Sequence, residues 1–146
     1  MGYYVQITDA EFVIPETPEV LQKLKDLNHD PTVEKYGGHI ADGQYIKRWF
    51  SWMPSDYDQR VHSVKDVFDL LGFDTESDGE SVRLLYYDGK TGQEELFLQA
   101  VAPFVKPNSY INWKGEDGYF WKNLVDPFGT LHHLKGKVIY DDPSPE

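Results

Sequence analysis

Cysteine is absent from the 146 residues, which excludes disulfide scaffolds, thiolate zinc sites, iron-sulfur clusters and cysteine nucleophiles. Cations are scarce as well: 14 Lys and Arg stand against 25 Asp and Glu, a net charge of -11. A groove that wraps nucleic-acid phosphates needs the opposite sign, so direct nucleic-acid binding is not expected. No apolar run approaches the roughly 20 residues that span a bilayer, and Met1 to Gln6 lack a basic cluster followed by an apolar stretch. Neither a membrane span nor secretion by that route is expected, and the cytoplasm is the default compartment. Aromatics are abundant, with 4 Trp, 10 Tyr and 8 Phe. A chain of this length buries roughly 70% of its unfolded surface without a covalent or metal staple.

The charge is unevenly placed. Residues 101 to 146 carry a net -1 and the first hundred carry -10. Between residues 66 and 95, nine acids face only Arg83 and Lys90. Such a pole either steers a basic partner or keeps a surface hydrated.

Periodicity predicts one α+β domain over residues 1–140, an antiparallel sheet with a C-terminal meander and about three short helices packed on it, followed by a flexible acidic tail at 141–146. Val5 and Ile7 share one parity and Phe12 and Ile14 the other, so a bulge is expected near Thr8-Asp9-Ala10. Thr17-Pro18 opens a first helix with Val20, Leu21, Leu24 and Leu27 as its apolar stripe. Ser63 caps a second, ended by Gly72. A third is expected from Thr91, where Thr91-Gly92-Gln93-Glu94 matches a capping box, to Pro103. Residues 29 to 44 read as a long loop and Tyr45 to Met53 as a strand covered on both faces. Asp78-Gly79 marks a hairpin between 73–76 and 82–87. In the last third, strands at 110–113, 119–125, 131–134 and 138–140 form the meander.

Chemical motifs are few. The histidines His29, His39, His62, His132 and His133 show no His-x-His or His-x-x-x-His spacing, so no metal is expected, and no cofactor is. His132 and His133 are neighbours on a strand and point to opposite faces. Asp74-Thr75-Glu76-Ser77-Asp78-Gly79 resembles the start of a calcium loop, but Leu85 stands where a bidentate Glu is needed. Asp88 to Gly92 contains Gly-Lys-Thr without the upstream glycine of a phosphate-binding loop. No catalytic residue is assigned.

The candidate binding residues are therefore Asp74, Glu76, Asp78 and Glu80 in the acidic hairpin, Glu116 and Asp117 at a hairpin tip, Trp113 and Trp121 flanking that tip, and His39 in the 29–44 loop. They favour a non-enzymatic acidic module, an inhibitor or accessory factor that docks on a basic protein surface, in a sharper form as a nucleic-acid mimic. A ligand-binding protein or hydrolase with a pocket beside the 29–44 loop, using His39, Asp42, Tyr45 and Trp49, is the alternative. A structural subunit of a larger assembly is a third reading.

The stretch from Leu84 to Trp121, above all Ser109-Tyr110-Ile111-Asn112-Trp113-Lys114-Gly115-Glu116-Asp117-Gly118 followed by Trp121, resembles a group of small bacterial and bacteriophage proteins of unknown function. They share a helix leading into a Trp-flanked Gly-Glu-Asp-Gly hairpin. The resemblance implies a compact α+β domain carried by phages or mobile elements and transfers no catalytic residue.

Overall fold

The computed structural model describes residues 2–140, apart from the side chains of Tyr45 and Ile46. The expected tail at 141–146 lies outside the described residues. The chain begins with β1 (Tyr4–Glu11) and β2 (Val13–Pro15), separated by Phe12. Register against the partner strand slips between Ile7 and Asp9, which places a bulge at Thr8. That extra residue reverses the parity, so Val5, Ile7, Phe12 and Ile14 all reach the core. The expected bulge is present, and its cause is visible.

α1 (Pro18–Asp26) is capped by Thr17, whose hydroxyl accepts the Val20 amide. A 3-10 turn at Leu27–His29 extends it. The segment from 29 to 44 is not one loop: β3 (Gly37–Ala41) and β4 (Gln44–Trp49) form a hairpin with Asp42-Gly43 in left-handed conformations at its turn. β3 has no apolar alternation to announce it, whereas β4 falls within the strand expected from Tyr45. β4 stops at Trp49, four residues short of the strand expected to reach Met53, and Phe50 and Met53 turn into the core beyond it. α2 (Tyr57–Arg60) is a single turn, too short to leave a period.

α3 (Val64–Leu71) has the expected ends: Ser63 Oγ accepts the Asp66 amide, and Gly72 closes it at φ 107°. Its stripe of Val64, Val67, Phe68 and Leu71 is buried, worth roughly 1.5–3 kcal/mol per side chain. β5 (Asp74–Ser77) and β6 (Ser81–Tyr86) form the expected hairpin. β7 (Asp88–Lys90) was not legible, since Asp-Gly-Lys has the composition of a turn; it is a strand because β1 pairs with it. α4 (Glu94–Val101) starts three residues later than expected. Thr91 Oγ1 bonds the Glu94 carboxylate instead of capping a helix that begins beside it. β8 (Tyr110–Gly115), β9 (Phe120–Val125) and β10 (Leu131–Lys135) form the meander. Residues 138–140 are not a strand and their side chains are exposed.

The main sheet runs β10-β9-β8-β1-β7, entirely antiparallel, and the second runs β2-β6-β5. The chain crosses between them at Phe12 and Tyr87, whose carbonyls accept the Leu84 and Ile7 amides. The helices and the two sheets share one continuous buried cluster that runs from Val5 to Val125. Two aromatic groups anchor it. Phe50, Tyr57 and Phe97 pack edge to face or tilted at 5.2–6.3 Å, while Phe68, Phe73, Tyr87 and Trp113 form a chain of tilted rings. The fold is α+β, and among the described residues no helix is long and apolar enough to cross a membrane.

Candidate functional site

The β8–β9 turn brings together residues far apart in sequence. Trp113 and Trp121 are cross-strand partners, and their rings stack at 6.0 Å and 10°. His133, on the core-facing parity of β10, continues the stack at 6.1 Å and 11°. Three parallel rings thus bridge three strands. His133 Nδ1 lies 3.1 Å from Glu95 Oε2 on α4, which ties the outer strand to the helix. His132 points to the other face and meets Asp126 at 2.8 Å, so the two histidines diverge as expected.

The N-terminal segment closes the opposite side. Gly115 has no side chain because the Tyr3 phenol occupies that space. Tyr3 OH donates to Asp117, which also accepts the Tyr119 amide at 3.1 Å. The bond to Asp117 is the main reason that the Tyr3 phenol is pushed up to about 12, and the same bond holds the Asp117 carboxyl below its usual range. Glu116 Oε1 accepts the Tyr4 amide at 3.2 Å. Thr91 N donates to Tyr3 O at 2.8 Å, joining this segment to the approach to α4.

Between the stack, Tyr3 and the start of α4 lies a cavity of about 290 Å³. Trp113 and Asn123 line it and are almost completely buried. Trp113 Nε1 donates to Asn123 Oδ1 at 2.8 Å. An indole N–H only donates, so the amide orientation is fixed and Nδ2 is left over. Nδ2 has no hydrogen-bond partner. Glu94, also buried, spends both oxygens locally on Thr91 Oγ1 and the Gly92 amide. Glu95 is half-buried and Asp117 exposed where they line the cavity.

Of the residues singled out in the sequence, Trp113, Trp121 and Asp117 meet at this cavity, with Glu116 at the adjoining turn. The acidic hairpin lies elsewhere. Asp78 is consumed by its own turn, accepting the Glu80 and Ser81 amides, which lower its pKa. Asp66 and Asp69 are likewise engaged by the His62 amide and Lys65. Asp74, Glu76 and Glu80 remain as exposed carboxylates, with Arg83 directly opposite Glu76. His39 is exposed on β3, opposite Lys47. The cavity beside the 29–44 segment, about 350 Å³, is lined by Tyr36, Gln93 and Leu96 among others and not by His39, Asp42 or Trp49; the Tyr45 side chain lies outside the described residues. Among the described residues no cluster of three His, Asp or Glu side chains is arranged to hold a metal.

Sequence reasoning missed Tyr3, Glu95, Tyr119, Asn123 and His133 as site residues. One signal was present: Asn123 shares the parity of Trp121 and Val125, a polar amide in an apolar row. Comparison with protein-family models, with curated proteins and with solved structures finds no match.

Proposed function

We propose that this chain is a non-enzymatic binding module, an inhibitor or accessory factor, that docks on a basic protein surface with the end formed by the β8–β9 turn, the N-terminal segment and the approach to α4. The observation that carries this reading is the convergence there of exposed aromatic rings with carboxylates. Trp52, Tyr4 and Tyr119 are 52%, 47% and 39% exposed. Large rings held at a surface supply most of the energy at protein interfaces. Asp88, Glu95, Glu116 and Asp117 lie among or beside them. Lys90 Nζ sits 5.8 Å from the Tyr4 ring and 6.0 Å from that of Trp52, linking the two.

Trp52 adds a second support. Its φ of 70° is a left-handed conformation that costs a residue with Cβ of order 1–3 kcal/mol. The strain presents an indole to solvent instead of burying it. The mimic form of the reading is less favoured, because five of the nine acids at 66–95 have partners within the fold and Arg83 interrupts the remainder. The experiment is capture from a cell extract on immobilised protein. A partner with a basic surface, retained at low ionic strength and released as salt rises, is expected. Retention that salt does not change would sink the reading.

A further inference from the structure

We infer that the cavity of about 470 Å³ bounded by β8, β9, β10 and residues 136–138 is a site for a small organic phosphate, a monoester on a flat or apolar body. It stands apart from the docking end in place and in charge. Lys122, Lys135 and Lys137 line it, and no carboxylate does. The cavities of about 290, 620, 350 and 260 Å³ each have at least two acids in their walls. In a chain of net charge -11, a wall whose only charges are cations is the exception. Among the described residues none of these three lysines forms an ion pair. Lys122 Nζ rests on the Tyr110 ring at 5.1 Å, a weak contact that an anion outcompetes. Asp9, the register partner of Asn112, accepts the Tyr110 hydroxyl at 2.8 Å and stays outside the lining.

The backbone builds the cavity. Lys122 and Leu134 are register partners on the parity opposite to that of Asn123 and His133, so they face away from the stacked rings. At the end of β10 the Gly136 amide donates to Phe120 O at 2.8 Å, and a Cβ at Gly136 would stand 3.0 Å from Phe120 Cβ. Glycine thus lets the chain cross Phe120 closely and carry Lys137 and Val138 past it as a further wall. Leu134 and Val138 are 43% and 56% exposed, and Phe120 is half-buried. These three offer apolar contact to the body of a ligand. Ammonium groups without a guanidinium meet a phosphate dianion as point charges, whereas a carboxylate is best matched by the arginine fork. The volume lies within the range of roughly 300–1,000 Å³ of ligand pockets. A nucleic-acid strand would extend beyond the cavity over a molecule of net negative charge, so a free monoester is the occupant.

The test is an NMR titration of the full chain with 1-naphthyl phosphate, following the Leu134 and Val138 methyl resonances. Both should shift and saturate below about 1 mM. 1-Naphthol, 1-naphthoate, inorganic phosphate and a short oligo-dT should each bind at least about tenfold more weakly. Lys122→Gln, Lys135→Gln and Lys137→Gln combined should weaken binding by at least about tenfold, while Lys23→Gln, Lys47→Gln and Lys106→Gln, which remove the same charge at exposed positions outside the cavity, should leave it within about twofold. Asp141 and Asp142 follow the described residues, and Asp141→Asn with Asp142→Asn should change affinity by less than about threefold. The inference is overturned if the methyl resonances do not move, if 1-naphthoate or the oligonucleotide binds as tightly as the monoester, if the two lysine triples weaken binding equally, or if binding emerges only once Asp141 and Asp142 are neutralised. No protein partner enters the titration and none of these lysines belongs to the docking end, so its failure leaves the docking reading untouched.

Discussion

Single side chains set the character of the proposed binding end. The Tyr3 phenol donates to Asp117, and its pKa rises to about 12 chiefly through that bond. A phenol whose folded pKa exceeds its unfolded value near 10 stabilises the fold fully below that value and loses the contribution as pH climbs toward 12. Ultraviolet titration should accordingly show the same number of tyrosines ionising near pH 10 in the parent and in Tyr3→Phe, and Asp117→Asn should add one by bringing the Tyr3 phenol down. An unchanged titration in Asp117→Asn would show that the bond does not govern Tyr3. Residue by residue, the sequence named three side chains of the cavity beside Tyr3 and missed five. Trp113, Trp121 and Asp117 were legible because a Trp-flanked turn with paired acids is a local pattern. Tyr3 and Glu95 were not, because what recruits them is an absent side chain at Gly115 and a helix-to-strand contact with His133, both products of tertiary packing.

Helices and strands differ in how openly the chain declares them. Thr17 and Ser63 make the side-chain caps their positions imply. Replacing either with Ala should cost about 1 kcal/mol, read as a lower midpoint in urea unfolding. A midpoint unmoved in both variants would mean that packing alone positions α1 and α3. The Thr91 box, identical in pattern, does something else: its Thr and Glu pair with each other ahead of the helix while Gln93 precedes the first turn. Gln93 is held by the loop, accepting the Tyr36 amide and donating to Glu34 O. Tertiary bonds therefore overrode a local start signal. The same competition explains β3 and β7, which have little apolar alternation of their own and exist because a neighbouring strand completes their hydrogen bonds.

Across the whole molecule, the two bent sheets and the helices share one apolar cluster, so damage at one end should be felt at the other. Phe97 is fully buried and touches both Phe50 and Tyr57 through edge contacts. Phe97→Ala should cost about 3–5 kcal/mol and preserve a single cooperative unfolding transition. Two separated transitions would show that the halves fold apart. Net charge also looks different at this scale. The acidic run at 66–95 that dominated the sequence is largely spent on caps, turns and ion pairs, and the proposed binding end takes only Asp88 and Glu95 from it, beside Glu116 and Asp117.

That contrast defines the decisive measurement: calorimetric titration of the captured basic partner against two triply neutralised variants. With Glu95→Gln, Glu116→Gln and Asp117→Asn combined, affinity should fall by at least about tenfold and its salt dependence should flatten. With Asp74→Asn, Glu76→Gln and Glu80→Gln combined, affinity should stay within about twofold of the parent. Loss of binding in the second variant with the first unaffected would place the contact on the acidic hairpin and contradict the assignment of the binding end.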